Sequence, residues 1–178
     1  MNSREQEKNE LRQYGFSEEV LQQLYELTDV DDYDLHLDAR QRFVDSGEAV
    51  LPVMHQLLHS KQKVIRKQAV KVVELVAHHS SIGELLAMLE DSASGIRWIA
   101  AETLIKIGRP ALRPLLEALI DRAKYYNFRL GAHHVLAKLV NDKDSEELQK
   151  VLDMTRSGGA TSETIPVHAT HALQQLQI

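Results

Sequence analysis

Hydrophobic residues recur along this chain with the spacing of amphipathic helices. The pattern is clearest between residues 91 and 121. There, apolar or small side chains stand at relative positions 0, 3, 4, 7, 8 and 11, namely Ile96, Ile99, Ala100, Thr103, Leu104 and Ile107. A second run follows with Leu112, Leu115, Leu116, Leu119 and Ile120. The segment therefore predicts two helices, each of which needs a neighbour to cover its apolar stripe.

A short turn is predicted between these two helices. Gly108 stands where a left-handed backbone conformation ends a helix, and Pro110 suits the first turn of the next helix because its missing N–H would be unpaired there. The same signals occur earlier in the chain, since Gly47 is placed like Gly108 and Pro52 precedes Pro114 by 62 residues. Two copies of a unit of about 31 residues account for this offset.

The helical stripe returns several times. It is matched loosely at residues 35–46, closely at 65–76 and 128–139, and again at 165–176. Such a period is the signature of a solenoid, in which stacked units bury a continuous core. A small residue occupies the third stripe position of each copy: Ala39, Ala69, Ala100, Ala132 and Ala169. We predict an all-α fold of about four helix pairs over residues 34–178.

Residues 1–33 are predicted to precede the repeats as a polar tail and a capping helix. Residues 1–13 are strongly polar and fit either a frayed helix or a disordered tail. Ser17 is a favourable N-cap, and residues 17–29 are predicted to form the helix that covers the open end of the stack. An acidic connector follows, with Asp29, Asp31, Asp32 and Asp34.

The repeated motif resembles a known family. The pattern IRxxAxxxLxxIG followed by PxLxPLLxxL is similar to HEAT repeats, especially the short type found in bilin-lyase-like HEAT proteins, and the resemblance covers about residues 34–178. It implies a right-handed α-α superhelix whose second helices line a concave surface. It also implies a scaffold that holds a protein partner, although a few members of the family are enzymes.

Composition narrows the classes of function. The chain has 178 residues, 43% of them hydrophobic, and a formal net charge of -5. Nucleic acid is therefore not an expected partner unless the chain carries a local basic patch. Cysteine is absent, which favours a cytoplasmic location. The sequence has neither a visible signal peptide nor an apolar run of the roughly 20 residues that span a bilayer.

Equivalent positions of the repeats form two columns of mixed chemistry. If the second helices line the concave side, these columns are expected to face the groove and to bind a protein or peptide partner. Trp98 is the single tryptophan, and this residue type is enriched at binding hot spots, although packing between adjacent helices is the structural alternative. The columns contain Lys67, Trp98, Leu130 and Val167, and Lys71, Glu102, His134 and His171.

Two sets of charges recur in the repeats. Lys63, Lys67 and Lys71 share a helical face in a stretch without acidic residues, which fits either a solvated face or contact with an acidic partner surface or with the acidic connector. The second set is predicted to form a structural ladder of ion pairs near the turns, and it comprises Arg66, Asp91, Arg97, Asp121 and Arg129.

Catalytic and metal-binding motifs are not found in the sequence. There is no HExxH among the nine histidines and no phosphate-binding or nucleophile motif, so we expect no metal, no cofactor and no catalytic residue. Ser157–Gly159 are interpreted as a flexible loop and Ser162 as an N-cap. The leading hypothesis is a non-enzymatic scaffold. The alternative is a HEAT-fold enzyme or lyase-like chaperone that acts on a tetrapyrrole or nucleobase, with Glu102 near Trp98 as its carboxylate.

Overall fold

The protein is helical throughout the part that the structure describes. The structure is a computed structural model and describes residues 3–29, 31–156 and 163–176. Within these ranges the regular elements are eleven α-helices and three 3₁₀ turns, without a strand. The expected loop at Ser157–Gly159 and the cap Ser162 lie outside the described residues. The chain divides into two compact units, Met1–Val76 and Ala77–Ile178. The repeat boundary near residue 34 stays a prediction.

The first unit contains five helices. Its core forms where α2 packs on α3 and where α5 packs on α2, α3 and α4, with α1 lying against α2. Buried leucines, valines and alanines on these faces supply the apolar area that stabilises the unit. The helices are α1 (Ser3–Arg12), α2 (Glu18–Thr28), α3 (Tyr33–Asp45), α4 (Leu51–Leu57) and α5 (Lys63–Val76).

The polar N-terminal stretch forms the helix α1 and is held in place at several points. Leu11 is fully buried, and Arg4 forms an ion pair with Asp29 at the end of α2. Glu10 accepts hydrogen bonds from the Ser60 hydroxyl at 2.6 Å and from a backbone N–H at 2.8 Å. The predicted helix at 17–29 is observed as α2, and Ser17 caps it by accepting a hydrogen bond from a backbone N–H at 3.3 Å.

The second unit contains six helices. In it α7 packs on α6 and α9, while α8 packs on α9 and α11. Gly108 ends α7 with φ +87°, a conformation that favours glycine, and its N–H donates to the Leu104 carbonyl at 3.0 Å. The helices are α6 (Ile82–Met88), α7 (Ser94–Ile107), α8 (Leu112–Arg122), α9 (Tyr126–Leu139), α10 (Glu146–Arg156) and α11 (Ile165–Gln175).

The predicted stripes are the buried faces of the helices. On α7 the side chains of Ile96, Thr103 and Leu104 are almost completely inaccessible to solvent, and four of the five apolar positions of α8 are equally buried. The small residue at the third stripe position is fully buried in every copy, which allows neighbouring helices to approach closely. These residues are Ala39, Ala69, Ala100, Ala132 and Ala169.

The last predicted stripe forms a helix in a different place from the one expected. The main neighbours of α9 are α7 and α10, whereas α11 packs most extensively on α8 and also on α10. Ile165, Ala169 and Ala172 are buried in this contact. The repeated stripe predicts that residues 165–176 form a further copy of the first helix beside α9, and this prediction is wrong. A stripe shows that a face is buried, but it does not identify the helix that buries it.

Candidate functional site

Four of the predicted binding residues meet on the surface of the second unit. Trp98 and Glu102 are one turn apart on α7, and Leu130 and His134 are one turn apart on α9. Because α7 and α9 pack together, the four side chains form one cluster, which we call the α7–α9 patch. The Trp98 and His134 ring centroids are 4.8 Å apart, with an angle of 35° between the ring planes.

The imidazole of His134 is held between two groups. Its Nε2–H donates a hydrogen bond of 2.6 Å to Oε1 of Glu102, and its ring lies against the indole of Trp98. The carboxylate and the indole together fix the ring orientation, so the polar part of the patch is pre-organised. Both members of the hydrogen-bonded pair are only partly exposed.

The apolar part of the patch faces solvent. Trp98 is 58% exposed and Leu130 is 54% exposed, although both are large apolar side chains. They border a cavity of about 420 Å³ whose lining is mainly apolar. Gly131 forms part of the wall, and a Cβ atom at this position would lie 2.9 Å from Cδ2 of Leu89. Glycine therefore permits the close approach of α9 to the end of α6.

The patch lies on the first helices of two pairs, where the stripes at residues 96–107 and 128–139 place its residues. The resemblance to HEAT repeats assigns the concave wall to the second helices of the pairs. Trp98 and Glu102 lie on α7, and Leu130 and His134 lie on α9, which are the first helices of their pairs. The expectation that second helices line a concave surface stays a prediction.

The remaining column residues lie elsewhere. Lys67 and Lys71 are on α5 in the first unit and do not belong to the patch. His171 is on α11, where its Nδ1 is 4.0 Å from Oε2 of Glu147 on α10. The same carboxylate accepts a 2.8 Å hydrogen bond from His168, and this bond, with a second one from Lys150, lowers the pKa of Glu147. The predicted alignment of His171 with His134 is therefore wrong, because α11 packs mainly on α8 and α10.

The three repeated arginines share a contact that was not predicted. Each guanidinium donates to a backbone carbonyl six residues earlier in the chain: Arg66 to Ser60 at 2.9 Å, Arg97 to Asp91 at 2.7 Å, and Arg129 to Ala123 at 2.8 Å. These carbonyls lie in the turn that follows the preceding helix, where acceptors need a donor from outside that helix. The predicted ion pairs with the carboxylates of Asp91 and Asp121 stay a prediction.

A polar cluster inside the first unit was missed in the sequence. Buried His36 lies between two partners: its Nδ1–H donates to the Leu27 carbonyl at 2.6 Å, and its Nε2 accepts from Arg40. Arg40 also donates to Oε1 of Gln68 at 2.9 Å. Gln68 occupies a stripe position of α5 and is almost fully buried. A glutamine in an apolar stripe was the one available signal that a polar partner lies opposite.

The described residues contain neither a metal-binding cluster nor a membrane-spanning helix. Over residues 3–29, 31–156 and 163–176, no three histidine, aspartate or glutamate side chains are grouped so that they could hold a metal ion. In the same ranges, none of the helices combines the length and the apolar character that crossing a membrane requires.

Comparison with known families identifies a repeat type in this chain. The family model of HEAT repeats matches residues 50–137. This range includes α5, Lys67 and Lys71, and the whole of the α7–α9 patch. The match confirms the predicted resemblance to HEAT repeats and the all-α fold class. The bilin-lyase-like type and the extent over residues 34–178 stay predictions. No curated protein and no solved structure matches the chain.

Proposed function

We propose that this HEAT-repeat protein is a non-enzymatic module that holds a protein or peptide partner on its α7–α9 patch. HEAT repeats commonly serve as scaffolds for protein interactions, and repeat proteins of this kind bind through extended surfaces. The observation that carries the proposal is the exposure of Trp98 and Leu130 side by side at the edge of a mainly apolar cavity. Clustered exposed apolar side chains mark sites of interaction.

The chemistry of the patch fits an anchoring site. Tryptophan dominates many protein interfaces because one rigid side chain covers a large area. The hydrogen bond between His134 and Glu102 supports the indole from one side, so little side-chain entropy is lost when a partner covers it. A partner is therefore expected to place an apolar side chain in the cavity, between Trp98 and Leu130.

Leu130→Ala and Val167→Ala are a matched pair of variants that tests this proposal. Both residues are 54% exposed and both lie on helices of the second unit, but only Leu130 belongs to the patch. The full chain is immobilised, retained proteins are identified by mass spectrometry, and the affinity of each is measured for the wild type and the variants. Leu130→Ala and Trp98→Ala are expected to weaken a genuine partner, the latter by about 30-fold if Trp98 is a hot spot.

The control variant defines the opposite outcome. Val167→Ala is expected to bind like the wild type, and all variants are expected to melt close to the wild type because the substituted side chains are exposed. A partner that is retained equally by Trp98→Ala, Leu130→Ala and Val167→Ala would show that the patch is not the binding surface.

A small planar ligand is a second candidate, supported by the same ring pair. The tilted contact between Trp98 and His134 leaves more than half of the Trp98 surface exposed, and a carboxylate lies beside it. A nucleobase or a tetrapyrrole could stack there, which would favour the enzyme or lyase-like alternative. A thermal-shift screen with both ligand classes tests this, since a ligand of the folded state raises the melting temperature. A shift that disappears in Trp98→Ala would support the second candidate, and the absence of any shift would contradict it.

A further inference from the structure

Arg40 links α3 to α5 in the first unit. The acceptors of its hydrogen bonds are uncharged. Its Nη2 donates to Gln68 at 2.9 Å and to the neutral ring of His36, so both acceptors are uncharged. Its Nε is buried and has no acceptor among the described residues. These hydrogen bonds orient the guanidinium but do not neutralise its positive charge.

Two lysines on α5 extend this positive charge to the surface. Lys67 and Lys71 are one helical turn apart, and in the described part of the chain neither forms an ion pair with a carboxylate. Burial lowers the pKa of Lys71, and the nearby charges of Arg40 and Lys67 lower it further. Glu74 is the carboxylate that acts on both Lys71 and Arg40 in the opposite direction. The positive charges of Arg40 and Lys67 therefore both act on Lys71.

The acidic connector of the same unit is engaged elsewhere at two of its positions. Asp29 forms an ion pair with Arg4 on α1, and Asp32 caps α3 by accepting a hydrogen bond from the Leu35 N–H at 3.1 Å. Neither carboxylate is therefore available to neutralise the lysines of α5. An external anion would relieve the repulsion that Arg40 and Lys67 exert on Lys71.

We propose that Arg40, Lys67 and Lys71 form a second binding surface, the basic cluster, which receives a carboxylate-rich segment of a protein partner. This surface does not depend on the proposed role of the α7–α9 patch, because it lies on different helices and recognises a different chemistry. Lysines one turn apart on a helix are about 6 Å apart, a spacing at which each can meet a separate carboxylate of one acidic peptide. Arg40, fixed by His36 and Gln68, adds a positive charge behind them.

A labelled octaglutamate peptide is the probe for this surface. Its binding to the full chain is measured by fluorescence anisotropy at about 0.01 M ionic strength, where charges interact over about 30 Å. The double variant Lys67→Gln/Lys71→Gln is expected to bind at least about tenfold more weakly than the wild type, because two charge contacts are lost. Its melting temperature is expected to equal or exceed that of the wild type, since repulsion between like charges is removed.

The matched control is the double variant Lys124→Gln/Lys138→Gln. It also removes two positive charges, but from exposed positions in the second unit. This variant is expected to bind octaglutamate like the wild type. Equal weakening in both double variants would show that only net charge matters and would overturn the proposal. Binding of inorganic phosphate at the lysines without binding of octaglutamate would overturn the assignment of a carboxylate-rich partner. Loss of octaglutamate binding in Trp98→Ala would place the peptide on the α7–α9 patch instead.

Discussion

His36 shows how one buried side chain links its charge state to folding. The Leu27 carbonyl can only accept a hydrogen bond and the Arg40 guanidinium can only donate one, so His36 carries its proton on Nδ1 and is neutral. Burial lowers the pKa of His36, and the cations Arg40 and Lys71 lower it further, while the hydrogen bond to Leu27 acts in the opposite direction. The folded protein therefore prefers the neutral ring.

This preference predicts a dependence of stability on pH. In the unfolded chain His36 takes up a proton below about pH 6.5, whereas in the folded chain it does so only at lower pH. Between these two pKa values the unfolded state binds more protons, so the free energy of unfolding falls as the pH falls. Thermal melts at pH 7 and pH 5 are expected to show a smaller loss of melting temperature for His36→Gln than for the wild type. His79→Gln, which removes an exposed histidine, should retain the wild-type loss, and equal losses in all three proteins would contradict the prediction.

Gly131 provides a second prediction at the scale of one residue. Alanine is favoured over glycine in a helix by about 1 kcal/mol. A Cβ atom at Gly131 would, however, lie 2.9 Å from Cδ2 and 3.4 Å from Cβ of Leu89, which is fully buried. Overpacking costs about 1–3 kcal/mol, so we expect Gly131→Ala to be destabilised by about 1 kcal/mol in urea unfolding.

Gly95 is the matched control for this substitution. It also lies in a helix of the second unit, but a Cβ atom there meets nothing within 4 Å. Gly95→Ala is expected to be stabilised by about 0.4–1 kcal/mol. Stabilisation of both variants would mean that Leu89 moves aside at no cost.

The repeated arginines act at the scale of the helix element. Arg66, Arg97 and Arg129 are each the fourth residue of their helix, and each reaches back to a carbonyl in the preceding turn. One side chain therefore fixes the angle between consecutive helices by a hydrogen bond with a charged donor. Arg129 is the most informative of the three because it is buried, with 7% exposure.

Replacing Arg129 by glutamine is expected to destabilise the protein by about 1.5–3 kcal/mol, the usual contribution of a hydrogen bond with a charged donor. The shorter side chain leaves the Ala123 carbonyl without this donor. Urea unfolding monitored by circular dichroism measures the difference. Lys138→Gln, an exposed substitution on the same helix, is expected to change stability by less than about 0.5 kcal/mol. Equal midpoints for the two variants would show that the carbonyl finds another donor.

The elements also show where sequence patterns are sufficient. The stripes of α7 and α8, the positive φ of Gly108 and the Ser17 cap were predictable because each depends on residues that are close in sequence. The helix α10 was not singled out, although Leu148, Val151 and Thr155 are its buried positions. Because α10 packs on α9, it occupies the position that the repeated stripe predicted for α11.

The candidate site was predictable to a similar extent. Periodicity brought Trp98, Glu102, Leu130 and His134 together because α7 and α9 are successive copies of one motif. Periodicity did not show that Arg97 would donate to a carbonyl, because the acceptor is a backbone atom that every residue possesses. The contacts between side chains and distant acceptors depend on how the helices pack, and a single stripe does not specify that packing.

Charge is distributed unevenly over the molecule as a whole. The formal net charge is -5, yet Lys67 and Lys71 of the basic cluster lie in a stretch without acidic residues from Ala49 to Val73. Attraction of a large polyanion depends on how many of its charges are neutralised together, whereas the remaining acidic surface repels it. A short acidic peptide and a nucleic acid are thus expected to behave differently.

We expect a single-stranded oligonucleotide to bind only weakly, even though it is more highly charged than octaglutamate. Three cations neutralise at most about three phosphates, so the affinity falls with salt with a logarithmic slope of only about −2. At 0.15 M salt we expect no change in anisotropy of a labelled 20-nucleotide strand below about 100 μM protein, because non-specific affinities of larger basic surfaces are already only about 10⁻⁴–10⁻⁶ M. A dissociation constant below about 1 μM that is raised by Lys67→Gln/Lys71→Gln would show that the basic cluster belongs to a nucleic-acid surface. The same titration with Lys124→Gln/Lys138→Gln separates this outcome from an effect of net charge.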